Sequence, residues 1–190
     1  MLALARHLVA QQIVALVINP DAELYSYPQT LATLPAATAY LTKRPEVDPD
    51  RLAAVGYSLG GDLVVRAAGA HKQLTAIAAL APLWEATAPG LDLLREMSYP
   101  EAWRWLRDPR RAGLVDQLNA LDHGSKIAPR RLLLMYGAND RLSAWNAAPD
   151  WATQGDNWVT HQIIRGVGHL DLLDHPATLN TLVRWLKEHL

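Results

Sequence analysis

Residues Gly56-Tyr57-Ser58-Leu59-Gly60 set a serine between two glycines, directly after an apolar stretch and directly before a helix-forming one. A serine hydroxyl is a poor nucleophile until a base takes its proton. It also has to project from the scaffold so that a carbonyl carbon can reach it. A strand that turns sharply into a helix meets that need: glycines permit the tight turn, and the helix N-terminus favours developing negative charge. The base and its partner must come from elsewhere. Asp140 follows Gly137-Ala138-Asn139, and His169 follows Gly166-Val167-Gly168. Together they give the chain order serine, aspartate, histidine. In such an arrangement His169 accepts the Ser58 proton and passes it to the leaving group, while Asp140 fixes the imidazole tautomer and stabilises the imidazolium. The amide N–H of Leu59 is then the expected donor to the oxyanion. The chemistry would be acyl transfer from an ester-type carbonyl.

Each residue has a plainer reading as well. Ser58 could merely occupy a strand-to-helix turn. Asp140 could cap the helix that follows it, as aspartate often does. A histidine in a glycine-rich loop is commonly just a surface residue. Rival groups exist too: Asp171 and Asp174 follow His169 in its own loop, His161 falls within an expected strand, and His175 precedes Pro176 at a helix start. The joint placement of Ser58, Asp140 and His169 is what favours the chemical reading, since each sits just beyond an expected strand. In a parallel sheet, the C-terminal ends of the strands share one edge, where ligands usually bind.

The elements required to hold these residues can be read from the pattern of apolar runs. Ile13–Ile18, Leu52–Val55, Leu74–Leu80 and Leu132–Tyr136 are short apolar runs bounded by turn residues and are expected to be strands. Trp158–Ile164 mixes apolar and polar positions and is expected nearer the sheet edge. Helices are expected over residues 2–11, with Leu2, Ala5, Leu8 and Val9 on one face, and over Pro35–Lys43 with Pro35 in the first turn. Further helices are expected over 59–70, near 144–153, and at the C-terminus, where Leu179, Leu182, Val183 and Leu186 form a stripe. The alternation of strands and helices describes an α/β fold: a mostly parallel sheet of about five strands flanked by helices. Residues 82–128 break the alternation and hold Trp84, Trp103 and Trp105 together with Pro82, Pro89, Pro100 and Pro109. They are expected to hold at least one or two helices.

Composition excludes several classes. The chain has 190 residues, half of them hydrophobic, which suits one domain with a sizeable core. A net charge of −1 gives no basic surplus for nucleic acid or an anionic membrane. Arg104, Arg107, Arg110 and Arg111 read as a solvated helix face. With no cysteine, the chain has no disulfide, no thiolate metal site and no cysteine nucleophile. No H-E-x-x-H or comparable ligand set suggests a metal, and no glycine motif suggests a nucleotide, so no cofactor is expected. No apolar run approaches the ~20 residues of a spanning helix. The N-terminus lacks a basic region before its apolar stretch, and Gln11 and Gln12 interrupt that stretch, so a signal peptide is not expected and a cytoplasmic location is.

The quoted residues carry a resemblance. Val47 to Gly61, VDPDRLAAVGYSLGG, resembles the nucleophile region of the dienelactone-hydrolase-like and prolyl-oligopeptidase-like branches of the α/β-hydrolase superfamily. Arg130 to Asp140, RRLLLMYGAND, resembles its acid strand and turn, and Arg165 to Leu173, RGVGHLDLL, its histidine loop. The resemblance implies a serine hydrolase of carboxylic esters or related acyl bonds, with a small-molecule ester or acyl substrate, and it places the variable cap at 82–128. It also implies about three further strands and a His-Gly oxyanion loop ahead of the first helix seen here. The only His-Gly in this sequence is His123-Gly124, far downstream. The expectation is therefore the superfamily fold without its first three strands, either as a shortened chain or as a minimal form. One missing strand would lie between Ile13–Ile18 and Leu52–Val55, so those two runs must pair directly or leave edges for another chain to fill, with an oligomer as one outcome. Losing one oxyanion donor typically costs ~10²–10³ in turnover. The stretch 19–27 is the candidate for a substitute donor, and a non-catalytic binding module or inactive fragment is the competing reading.

Overall fold

The computed structural model describes residues 1–18, 27–82, 124–143, 150–153 and 157–190. The expected cap at 82–128 and the stretch 19–26 lie almost wholly outside them. The described elements are, in chain order, α1 (Leu2–Ala10), α2 (Tyr27–Leu41), β1 (Ala53–Tyr57), α3 (Leu59–Ala70), β2 (Ala76–Leu80), a 3₁₀ turn at Ser125–Ile127, β3 (Arg131–Gly137), α4 (Asp150–Thr153), β4 (Val159–Ile164) and α5 (Pro176–His189).

Among the described residues the strands form one four-stranded parallel sheet in the order β1-β2-β3-β4. Helices cover both faces. On one, Leu4 and Leu8 of α1 and Leu182 and Leu186 of α5 pack on Ala78, Leu80 and Leu133 of the sheet. On the other, Val65 and Ala68 of α3 pack on Ile77, Ala79, Leu132 and Leu134. Every residue of β2 is buried, as a strand with neighbours on both edges and helices on both faces must be. β4 is the opposite case. It lies at the sheet edge among the described residues, and its residues are partly or fully exposed until Ile164, which explains its mixed sequence.

The N-terminal third departs from expectation in three places. Ile13–Ile18 is not a strand: no backbone hydrogen bond joins it to β1. Its burial still alternates with period two, Ile13 and Ala15 packing on the core while Val14, Leu16 and Ile18 are exposed. Among the described residues no strand neighbours the run at hydrogen-bonding distance, and a ladder requires one. Among the described residues the sheet thus has four strands. Helix α2 begins two turns before Pro35 and carries that proline internally. The missing N–H costs one intrahelical bond, and Thr38 adds a hydrogen bond from Oγ1 to Leu34 O at 2.8 Å next to it. In α1 the buried residues are Leu4 and Leu8, whereas Leu2 and Val9, assigned to the inner face from sequence, are 66% and 59% exposed. The i,i+4 pair that meets α5 decides the rotation.

Arg130 closes the C-terminal end of α3 and fixes the start of β3. Its guanidinium donates to Ala68 O at 2.6 Å, His71 O at 2.9 Å and Ile127 O at 3.1 Å. Burial lowers its pKa from the usual guanidinium value. The carbonyls at a helix end have no partner within the helix, so the cation serves both as cap and as tether.

Candidate active site

The turn from β1 into α3 is built around a close backbone crossing. A Cβ placed on Gly56 would lie 2.0 Å from Gly60 O, so no other residue fits there without moving the helix start. Gly60 is different: a Cβ there would meet nothing within 4 Å. Of the two glycines flanking the serine, only the first is dictated by contact at its own Cβ. Ser58 takes φ 55° and ψ −123°, a left-handed conformation that costs a non-glycine residue about 1–3 kcal/mol. Neighbours hold it there: Ser58 N donates to Leu80 O at 2.8 Å, and Gly61 N donates to Ser58 O at 2.8 Å.

Ser58 occupies the N-cap position of α3 but makes no side-chain cap bond. A serine there normally binds the orphan N–H groups of the first turn. Instead its Oγ lies 2.9 Å from His169 Nε2. The plainer reading, a serine that merely closes a turn, does not account for that choice. Leu59, the first helical residue, has no carbonyl within the helix to receive its N–H, so the position expected for an oxyanion donor is open for one.

Asp140 combines both readings offered by the sequence, one on each oxygen. Oδ1 accepts from Leu142 N and Ser143 N, both at 2.8 Å, which is the capping pattern. Oδ2 accepts from His169 Nδ1 at 2.8 Å. The carboxylate is anchored by two backbone donors before it orients the imidazole. Asp140 and His169 are 7% and 4% exposed, while Ser58 is only partly buried. The histidine and its partner are thus shielded from competing water more fully than the serine is.

Backbone contacts bring the acid turn and the histidine loop together. Asn139 N donates to Val167 O at 2.9 Å, and Ala138 N donates to Ile164 O at 2.9 Å. A Cβ on Gly137 would sit 2.3 Å from Val167 O, so that glycine lets the two loops touch. Gly166 takes φ 75°, the left-handed turn that reverses the chain after β4.

The rival groups are engaged elsewhere. Asp171 and Asp174 are exposed, and Asp140 holds Nδ1 of His169. His161 bonds through Nε2 to Ala152 O at 2.6 Å and stacks on Tyr136. His175 caps α5, its Nδ1 accepting from Ala177 N at 3.3 Å. Sequence reasoning missed Tyr57. Its hydroxyl donates to His169 O at 2.5 Å, and its ring centroid is 5.3 Å from the imidazole. Its place beside Ser58 was visible in the sequence, but nothing there shows that it spans to the histidine loop. Among the described residues no group of three or more His, Asp or Glu side chains could hold a metal ion, and no helix is long and apolar enough to cross a membrane.

The parallel sheet with helices on both faces, and the serine, histidine and aspartate brought together at its carboxyl edge, define an α/β-hydrolase. The sequence model of the prolyl oligopeptidase family matches residues 29–190, and the chain belongs to that family of hydrolases. No curated protein matches the sequence. Solved structures of low identity share the fold. An α/β hydrolase, GrgF, from a Penicillium species aligns at 18% identity and TM-score 0.64, over 86% of this chain and 72% of its own. An acetyl xylan esterase from a Paenibacillus species aligns at 21% identity and TM-score 0.61, over 90% of this chain and 55% of its own. A monoacylglycerol lipase from Paleococcus ferrophilus aligns at 16% identity and TM-score 0.57, over 87% of this chain and 76% of its own.

Proposed function

We propose that this protein is a serine hydrolase that cleaves small-molecule carboxylic esters through an acyl-enzyme, with Ser58 as nucleophile, His169 as base and Asp140 as the orienting acid. The observation that carries the reading is the unbroken hydrogen-bond line from Ser58 Oγ to His169 Nε2, and from His169 Nδ1 to Asp140 Oδ2. With Asp140 accepting from Nδ1–H, the neutral imidazole presents an unprotonated Nε2 to the serine. Ser58 Oγ attacks the ester carbonyl carbon as its proton passes to Nε2. The carbonyl oxygen becomes an oxyanion, towards which the Leu59 N–H donates. Collapse of that intermediate expels the alcohol, which leaves with the proton from Nε2. Water then repeats the sequence on the acyl-serine and releases the acid.

Esters are preferred to peptides as substrates because the acetyl xylan esterase and the monoacylglycerol lipase share this fold, although the family takes its name from peptidases. Hydrolysis of p-nitrophenyl acetate and butyrate, beside a proline p-nitroanilide, separates the two. Ester turnover that disappears in Ser58→Ala is the expected result. Turnover of the anilide alone would move the substrate class to peptides, and a folded protein inert to both would favour a binding module.

A further inference from the structure

The two side-chain bonds of His169 hold its ring in place only if the main chain carrying that ring is held as well. The histidine loop runs from the end of β4 to the start of α5, residues 165–175. Backbone contacts tie it on either side of the histidine: Val167 O accepts from Asn139 N at 2.9 Å, and His175 O accepts from Leu179 N at 3.1 Å. Leu172 and Leu173, between those ties, are held by burial. At His169 itself, among the described residues, one group from outside the loop bonds the main chain. It is the Tyr57 hydroxyl, which donates to His169 O at 2.5 Å.

Tyr57 and Ser58 are consecutive, and consecutive side chains of a strand point to opposite faces. Tyr57 is the last residue of β1, and its ring packs against the core cluster that holds Val167, Leu172 and Leu173. Ser58, at φ 55°, has left the strand, and its Oγ lies 2.9 Å from His169 Nε2. Neighbouring residues thus grip one histidine at two points, the serine at a ring nitrogen and the tyrosine at the backbone carbonyl. The tyrosine ring adds a third contact. Its centroid is 5.3 Å from that of the imidazole, at an interplanar angle of 34°, within the spacing of aromatic pairs. The plainer alternative is a tyrosine that only finds a partner for its hydroxyl, as buried tyrosines do. In that case the imidazole would be indifferent to loss of the bond.

We infer that Tyr57 is a positioning residue for the reaction, a clamp on the His169 backbone that lets the imidazole meet Ser58 Oγ and Asp140 Oδ2 together. The inference rests on the serine-hydrolase reading above. Its basis is geometric, since misplacing a reacting group by about 1 Å can cost on the order of 10²-fold in rate. Because the hydroxyl is engaged with His169 O, the effect belongs to the chemical step and not to ester binding.

Tyr57→Phe removes the hydroxyl and keeps the ring with its packing. Turnover of p-nitrophenyl acetate is expected to fall about tenfold in kcat, with KM within about twofold. Proton NMR adds a readout that needs no substrate. The Nδ1–H of His169, sheltered in its bond to Asp140, is expected to give a downfield resonance in the unaltered protein that broadens by solvent exchange in Tyr57→Phe. Ile77→Val, in the core on the other face of the sheet, is the control for general loosening and should keep both kcat and the resonance. Unchanged kcat in Tyr57→Phe overturns the inference, as does a loss confined to KM or an equal loss in Ile77→Val. A resonance unaltered by the substitution, or absent from the unaltered protein, overturns it too. So does a Tyr57→Phe that does not fold, since the hydroxyl then supports the fold as a whole. In each case the Ser58 reading stands if the unaltered protein hydrolyses the ester and Ser58→Ala does not. If the unaltered protein is inert, that reading fails separately, and the resonance alone decides whether Tyr57 positions the imidazole.

Discussion

The rim joining β1, β3 and β4 and the flank beside residues 13–18 draw on the same kinds of residue, yet only the rim is closed by hydrogen bonds. At the rim, Ser58, Asp140 and His169 are each held by backbone contacts before they meet one another. At the flank, an extended apolar run with strand-like alternation lies beside a strand edge and bonds to none of it. The difference separates two conditions for a strand. An apolar, β-branched run sets an extended conformation, but a ladder requires a second edge at hydrogen-bonding distance. It also shows where precision has been concentrated, since every close backbone crossing noted at Gly56 and Gly137 lies on the rim side.

Substitutions can break or sharpen this contrast. Ser58→Ala and His169→Ala strike the rim chemically and are each expected to lower ester turnover on the order of 10⁶-fold, with circular dichroism and melting little changed. Residual turnover near that of the unaltered protein would detach the chemistry from these residues. Asp140→Asn is a finer cut. The amide oxygen can still accept from Leu142 N and Ser143 N, while its NH₂ now faces Nδ1 and forces the wrong imidazole tautomer. Turnover is expected to fall about 10⁴-fold, with melting preserved. A loss of stability equal to that of Asp140→Ala would make the aspartate a cap and little else.

The next pair tests the backbone of the rim. Gly56→Ala drives a methyl group into Gly60 O and is expected to cost more than about 4 kcal/mol. Gly60→Ala, where nothing lies within reach, should stay within about 1 kcal/mol, because alanine suits a helix better than glycine. Urea melts of the two variants check this, and equal losses would dissolve the asymmetry between the glycines. The smallest effects belong to the flank. Leu133→Ala in the sheet interior is expected to cost ~2–5 kcal/mol, whereas Leu16→Ala, 41% exposed, should change stability by no more than ~0.5 kcal/mol. A core-sized loss at Leu16 would mean that residues 13–18 are part of the packed sheet in solution. Arg44 and Glu46 pair on the surface at 3.0 Å, and Arg44→Ala should leave the melting curve unmoved.

Much of the rim was legible in the sequence because its constraints are local. Gly-x-Ser-x-Gly after an apolar run fixes a turn, and the glycines before Asp140 and His169 mark two more. The order of residue types along the chain then assigns them to one edge of a parallel sheet. The strands Ala53–Tyr57, Ala76–Leu80, Arg131–Gly137 and Val159–Ile164 lie where apolar runs between turn residues place them. What the sequence withheld depends on neighbours far along the chain. Ile13–Ile18 carries the pattern of a strand and lacks the edge that would make it one. Pro35 carries the signature of a first-turn residue, yet the helix extends through it. Leu2 and Val9 fit an amphipathic stripe as well as Leu4 does, and only the position of α5 selects Leu4 and Leu8. Tyr57 reaches His169 across 112 residues, a separation over which periodicity is silent.

The central claim is that Ser58 is activated by His169 and not by its turn alone. Labelling with a fluorophosphonate probe, followed by peptide mass mapping and a labelling rate, addresses both halves at once. The expected result is one covalent adduct on Ser58, formed at a rate that falls at least 10²-fold in His169→Ala. An adduct on another residue, or one formed on Ser58 equally fast without the imidazole, would contradict the account.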